Sequence, residues 1–155
     1  MAKLYIKPSN ISWGSEHVVG DTFEIQVRIV DVWDCMAVQF CVEWDATVLE
    51  LVDAVKGDFL EATGVTTWWF PSVQAGRFLG AYMRFEAPSG VNVPITDGLT
   101  ATLRFKALKT GAANISLSPY DCFWFNSAWQ AFSFTELQSA TFTFGVPMPA
   151  YPKMV

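Results

Sequence analysis

The sequence contains few charges, and its basic residues are scattered. Charged residues make up 16% of the 155 positions, and ten Lys and Arg against fifteen Asp and Glu give a formal net charge of −5. Binding to a phosphate backbone needs a concentrated positive surface. This distribution therefore excludes nucleic acid as the expected partner.

Catalytic signatures are also lacking. The chain has one histidine, His17, and no P-loop, dinucleotide fingerprint, nucleophile elbow or paired-histidine metal motif. A glycosidase would need two converging carboxylates, and no spacing here marks a cleft. Loop carboxylates such as Asp31 and Asp34, or Asp58 and Glu61, could ligate calcium, but no EF-hand spacing supports this. We expect a protein that is not an enzyme, with no predicted metal site or cofactor.

Long apolar runs are absent as well. No stretch approaches the roughly 20 apolar residues of a membrane helix, and the N-terminus lacks a signal-peptide pattern. The mean hydropathy is nevertheless +0.27, which indicates exposed apolar surface and hence an interface. Two Asn-Ile-Ser triplets, beginning at Asn10 and Asn114, match the N-glycosylation pattern and favour an extracellular or cell-surface location.

Three cysteines suit neither a zinc site nor a complete disulfide framework. If Cys35 and Cys41 share one extended strand, about six residues at roughly 3.3 Å each hold them too far apart to bond. A disulfide would then join Cys122 to Cys35 or to Cys41. Free thiols are the equally open alternative.

What the chain does contain is regular alternation of apolar and polar residues. Phe23–Ile29 has apolar residues at odd positions, and Val38–Trp44 has them at even positions, as in strands with one buried face. The segment Val30–Asp34 between them is too short for a crossover helix, so the two strands are close in sequence but could lie in different sheets. In the second strand the outer face would carry Gln39, Cys41 and Glu43.

Similar strands separated by turn signals recur along the chain. They are expected at Lys3–Lys7, Leu49–Val55, Thr66–Phe70, Arg77–Phe85, Leu99–Ala107, Ala113–Ser118 and Thr141–Phe144. Asp45 would cap one helical turn after Trp44, and Asn10–Asp21 would be a loop. Nine short strands at this spacing predict an all-β sandwich in one domain, residues 1–145, followed by a proline-rich tail or linker at residues 146–155.

Aromatic residues are concentrated in one segment. Five of the ten residues in Tyr120–Trp129 are aromatic, and the whole chain holds seven tryptophans. Burial is the default for any single aromatic residue, but seven are many for one sandwich. Trp124 and Trp129 are therefore candidates for exposed contacts with a protein or with sugar rings.

Four blocks of the sequence follow one another in a set order and spacing: Thr22–Trp44, Asp45-Ala46-Thr47-Val48-Leu49-Glu50, Lys56-Gly57-Asp58-Phe59-Leu60, and Gly98–Ala107 before Gly111. In that order and spacing they resemble the cohesin domain family, over roughly residues 4 to 118. The resemblance implies a nine-stranded jelly-roll sandwich, related in fold to some carbohydrate-binding modules. In that family one flat sheet binds a calcium-loaded dockerin, and similar domains occur on archaeal and bacterial surface proteins.

The resemblance also assigns a binding sheet. It would comprise the strands at Ala113–Ser118, Met36–Trp44, Arg77–Phe85 and Thr66–Phe70. The expected contacts are Gln39, Cys41, Glu43, Asn114 and Ser116, with one of Trp68 and Trp69, joined by Trp124 and Trp129 from the aromatic segment.

We therefore expect a non-catalytic extracellular module that engages a dockerin-type or other protein through a flat sheet face. Two alternatives stay open. A self-assembling subunit of a cell-surface or filamentous structure would use the aromatic segment and the tail to dock on copies of itself. A carbohydrate-binding module would use the exposed aromatic rings to bind polysaccharide.

Overall fold

The computed structural model describes residues 2–85, 87–93 and 97–145, and the tail predicted at residues 146–155 lies outside them. Fourteen strands and one 3₁₀ helix, Phe59–Gly64, form in the described part. The strands are β1 Lys3–Lys7, β2 Asn10–Trp13, β3 Thr22–Val30, β4 Val32–Glu43, β5 Leu49–Lys56, β6 Thr67–Gln74, β7 Arg77–Arg84, β8 Val91–Val93, β9 Gly98–Ala107, β10 Gly111–Leu117, β11 Phe123–Asn126, β12 Ala131–Ser133, β13 Glu136–Gln138 and β14 Ala140–Phe144. No helix among the described residues is long and apolar enough to span a membrane.

The strands form two sheets that face each other. The smaller sheet has the order β13-β1-β3-β9-β5. The larger sheet has the order β12-β11-β4-β10-β14-β2, and β7 and β8 also pair with β4 while β6 pairs with β7. Strands β3 and β4 therefore lie in different sheets, as their short link allowed.

The core lies between the sheets and follows the alternation in the sequence. Ile25, Val27 and Ile29 of β3 are fully buried, and so are Phe40 and Val42 of β4. The neighbouring residues of each strand point to the outer faces because successive side chains alternate. The predicted all-β sandwich is confirmed.

Several local predictions differ from the structure in detail. Asn10–Trp13 was expected to be a loop, but it forms β2 and pairs in parallel with β14. The β6–β7 hairpin is longer than predicted, because pairing continues through Pro71 to Gln74. Strands of three or four residues raise the count above nine, since such short strands carry too few alternating positions to be detected in the sequence.

The turn after β4 forms as predicted. Asp45 Oδ1 accepts hydrogen bonds from Thr47 N at 2.9 Å and from Thr47 Oγ1 at 2.6 Å, while Leu49 N donates to the Asp45 carbonyl at 3.0 Å. Trp44 points inward, and its indole N–H donates to the Leu49 carbonyl at 3.1 Å. The turn thereby directs the chain from the larger sheet to the smaller one.

Candidate protein-binding face

The four strands assigned to a binding sheet are neighbours in the larger sheet. Strand β4 pairs with β10 through Ser116↔Glu43 and with β7 through Glu43↔Arg77, and β7 pairs with β6 along its whole length. We call the solvent-facing surface of β10, β4, β7, β6 and the adjoining β11 the outer face.

Most of the predicted contacts lie on this face. Glu43 and Asn114 are exposed, and Gln39 and Ser116 are half-buried. Of the two neighbouring tryptophans, Trp68 is on the outer face and is 42% exposed. Trp69 points to the other side of β6 and packs against core residues such as Phe40 and Phe78.

Cys41 is one exception, because its side chain points outward but is fully buried. The cover is a bulge between β10 and β11, where residues 118–122 stand opposite only Phe40 and Cys41 of β4. Within the bulge, Asp121 Oδ2 accepts from Arg77 Nη2 at 2.9 Å, and Gln39 Nε2 donates to the Asp121 carbonyl at 3.2 Å. The prediction of Cys41 as a surface contact is therefore wrong, and the face is not flat.

The three cysteines are free thiols, so neither pairing considered for Cys122 is present. Cys122 Sγ lies 3.4 Å from the backbone nitrogen of Cys41. Burial raises the pKa of Cys35 and of Cys122 to about 12, and it also raises the pKa of Cys41. Because the thiolate is the reactive form, all three are poor nucleophiles in the folded protein.

The two tryptophans of the aromatic segment have different environments. Trp124 is buried and stacks on Phe132, with 4.6 Å between ring centroids, so the prediction of Trp124 as a surface contact is wrong. Trp129 is 52% exposed and lies 6.1 Å from the ring of Phe125. Alternation along β11 explains the burial of Trp124, which pairs with the inward-facing Val38, whereas Trp129 lies in the turn between β11 and β12.

An apolar strip crosses one half of the outer face, and the sequence analysis missed most of it. The strip has two rows that follow the strand register. One row is Phe123, Gln39, Ala81 and Phe70, and the other is Phe125, Ala37, Met83 and Trp68. Alternation of the phenylalanines in β11 was the available signal, but only strand pairing shows that they join residues of β6 and β7.

The other half of the outer face is polar, and together with the adjoining strands β14 and β2 it carries both glycosylation triplets. Asn114 pairs with Thr141 of β14, and Thr141 pairs with Asn10 of β2. Asn10 and Asn114 are exposed, and Thr141 Oγ1 donates to Asn10 Oδ1 at 3.3 Å. The two triplets therefore lie two strands, or roughly 10 Å, apart on one surface.

Asp34 ties the β11–β12 hairpin to the rest of the sheet. Its Oδ2 accepts from Ser127 Oγ at 2.5 Å and from Ser127 N at 3.1 Å, and its Oδ1 accepts from Gly90 N at 2.6 Å. These donors, the Ser127 hydroxyl first, hold the pKa of Asp34 below its ordinary value of 3.8. The Asp34 carboxylate therefore stabilises the position of the β11–β12 hairpin.

The described residues contain no group of three or more His, Cys, Asp and Glu side chains that could hold a metal ion. Among the calcium candidates, Glu61 forms an ion pair with Lys56 and accepts a hydrogen bond from Thr67. Among the described residues, the structure therefore combines an all-β sandwich with a partly apolar sheet face on which Trp68 and Phe70 are exposed. An exposed apolar face of this kind is typical of protein-binding modules.

Comparison with known proteins gives the family. The sequence profile of the cohesin domain matches residues 13–120, more than half of the chain. The chain therefore belongs to the cohesin family, whose domains are non-catalytic protein-interaction modules. Comparison with curated protein sequences finds no match.

Solved structures with the same fold include several cohesins. The sixth cohesin of Acetivibrio cellulolyticus scaffoldin B, solved with a Cel5 dockerin, superposes with a TM-score of 0.70 at 17% identity, covering 92% of this chain and 98% of that one. CaCohA2 of Clostridium acetobutylicum gives 0.67 at 16% identity, covering 92% and 90%. A non-cellulosomal cohesin of the archaeon Archaeoglobus fulgidus gives 0.68 at 10% identity, covering 92% and 90%.

Proposed function

We propose that this domain is an extracellular module that binds a dockerin-type protein through its outer face. The observation that carries the proposal is the outer face of β10-β4-β7-β6, on which Trp68 is 42% and Phe70 52% exposed among the described residues. Exposed aromatic residues on a sheet surface are typical anchors of protein interfaces. Cohesin family membership supports a protein as the partner.

The opposite surface of the sandwich offers a contrast. On the outer side of the smaller sheet, Arg104 of β9 pairs across the strands with Glu24 and with Asp53. Lys106 lies 3.9 Å from Glu50 on the same surface. Alternating charges of this kind are well solvated, so this surface has less to gain from being covered by a partner.

A display library of dockerin modules, screened in calcium, tests the proposal. The wild-type domain is expected to enrich dockerins that bind it. The double variant Ala81→Arg with Ser116→Arg should bind these dockerins with at least ten-fold lower affinity, because it places a charge in each half of the face. Thr102→Arg, on the outer side of β9, is the matched control and should bind normally. No enriched dockerin, or undiminished binding by the double variant, would reject the proposal.

Self-assembly is the second candidate, and the edge strand β6 favours it. This strand has eight residues, pairs with β7 on one side, and carries exposed Trp68 and Phe70. Long apolar edge strands are templates for pairing with another copy, although Pro71 removes one donor from this edge. Light scattering after size-exclusion chromatography separates the candidates, because a monomer at high concentration would rule out self-assembly.

Carbohydrate binding has less structural support. Sugar rings stack on coplanar aromatic rings, but Trp68 and Phe70 are inclined at 89° and Phe123 and Phe125 at 84°. Edge-to-face pairs of this kind present ring edges as well as ring faces. Pull-down on insoluble polysaccharide should leave the protein in the supernatant.

A further inference from the structure

The two halves of the outer face differ in chemistry, and the bulge of residues 118–122 lies between them. None of the eight residues in the two rows of the apolar strip is charged, and its one polar side chain, Gln39, already donates to the Asp121 carbonyl. The charges of the face, Glu43 and Arg77, lie on the other side of the bulge. Arg77 is already paired with Asp121.

The β11–β12 hairpin supplies a quarter of this strip. Phe123 and Phe125 occupy its outer end, with their ring centroids 5.5 Å apart. Both lie beyond residue 120, where the match to the family profile ends. The profile match therefore does not include them. Asp34 holds the hairpin in place through Ser127.

The strip has the dimensions of a docking site for one element of a partner. Four strands at about 4.8 Å spacing make it roughly 14 Å long between backbones, and two residues along each strand add about 7 Å of width. Trp68 and Phe85 form a stacked pair beside it at 4.4 Å, which extends the apolar surface. A partner that covers this area must present apolar groups, because an opposing charge would be desolvated without a counter-charge.

We propose that the partner docks on the apolar strip through an uncharged apolar surface, and that Phe123 and Phe125 determine its specificity. This inference rests on the proposed function and narrows it to one half of the outer face. The strip is continuous with the proposed binding sheet. The polar half, with Asn10 and Asn114, stays outside the contact.

Single variants of the domain test this with an enriched dockerin as the probe. Phe125→Ser and Phe70→Ser should each weaken binding at least ten-fold, because each removes a large aromatic side chain that the partner would cover, and such residues carry much of the affinity of an interface. A matched control changes a side chain on the opposite surface of β6. Val73→Ser should bind within two-fold of wild type, and circular dichroism checks that all three variants fold.

The single charge variants separate this inference from the proposed function. Ala81→Arg should abolish binding, whereas Ser116→Arg should have little effect. If Ser116→Arg abolishes binding while the strip variants bind normally, the inference is wrong and the proposed function stands. If the double variant binds like wild type, the proposed function is wrong.

A second probe does not depend on dockerins. Helical peptides randomised on one face are selected against the wild-type domain, and the enriched peptides should carry uncharged apolar residues on that face. Their affinity for Phe125→Ser should fall at least ten-fold. Enriched peptides that are charged, or that bind Phe125→Ser equally well, would overturn the inference.

Discussion

Arg77 Nη2 lies 2.9 Å from Asp121 Oδ2, and this ion pair holds the bulge of residues 118–122 over the outer face. Arg77 is on β7 and the bulge joins β10 to β11, so the pair reaches across the intervening strand β4. Cys41 lies beneath it and contacts the Arg77 guanidinium. One surface ion pair thus separates the polar half of the face from the apolar strip.

Breaking this pair should expose Cys41. We expect Asp121→Asn to raise the rate of Cys41 modification by a thiol reagent at least ten-fold, because the bulge loses its anchor. The free energy of unfolding should change by less than about 1 kcal/mol, since the partners are partly exposed. Labelling followed by peptide mass spectrometry measures the rate at each cysteine.

Glu50→Gln is the matched control for this prediction, because it removes the partner of Lys106 on the other sheet. It should leave all three thiols protected. Equal protection of Cys41 in Asp121→Asn and wild type would mean that Asp121 does not hold the bulge.

Asp34→Asn should destabilise the β11–β12 hairpin in a pH-dependent way. The pKa of Asp34 is lowered in the folded state by the Ser127 hydroxyl and by backbone N–H groups, so its carboxylate contributes stability above the unfolded value near 3.8. That contribution is lost as the pH falls below 3.8 through the folded pKa. The melting temperature of wild type should therefore exceed that of the variant at pH 7, and the difference should narrow at pH 3. A difference that is constant across this range would mean that the Asp34 carboxylate does not stabilise the hairpin.

Gly57→Ala should strongly destabilise the fold. A Cβ at Gly57 would overlap the carbonyl oxygen of Leu99, and the Gly57 carbonyl accepts the buried hydroxyl of Tyr82 at 2.9 Å. We expect a loss of about 3 kcal/mol in the free energy of unfolding measured in urea, because the backbone must move to make room. Gly64→Ala is the comparison, since its Cβ would meet open space and only the positive φ of 74° is strained. Similar losses at both positions would refute the steric account.

Trp124→Ala and Trp129→Ala should lower the free energy of unfolding by very different amounts. Trp124 is buried against Phe132, and its removal should lower the free energy of unfolding by about 3–5 kcal/mol. Trp129 is 52% exposed, so its removal should cost less than about 1 kcal/mol. Denaturant titrations of both variants measure the difference, and equal losses would show that the hairpin packs otherwise.

Glycosylation of both triplets is expected in a host that modifies Asn-X-Ser sites. Asn10 and Asn114 have exposed side chains, and each serine lies on the same side of its strand as the asparagine. Intact mass should show two glycans on wild type and one on either Asn10→Gln or Asn114→Gln. An unmodified mass for the secreted wild-type protein would disprove accessibility of these sites.

Much of the fold could be predicted because the informative pattern is local. Alternation in Phe23–Ile29 and Val38–Trp44 identifies the buried residues of β3 and β4 without knowledge of their neighbours. The cohesin-like blocks then predicted which strands share a sheet. Short strands such as β8, β12 and β13 could not be predicted, since partners distant in sequence stabilise three residues that have little preference of their own.

In the candidate site too, the sequence predicted some properties of single residues, and only the strand pairing decided the others. Trp68 and Trp69 are adjacent and chemically identical, and the sequence could say only that one of them points outward. The register of β6 with β7 decides it, because Trp69 stands opposite the buried Tyr82 and Trp68 opposite Met83. Cys41 alternates outward as predicted, but a bulge some eighty residues later covers it.

The sequence by itself determined the all-β class, the inward residues of the long strands, the family and the absence of a catalytic motif, because each depends on spacing within short segments. Only the tertiary structure decided which outward-pointing apolar residues keep part of their surface exposed. The apolar strip joins the half-buried Phe123 and Phe125 to the half-buried Ala81 and Met83, which come from distant parts of the chain. Burial depends on what packs above a residue, and that is a property of the assembled sheets.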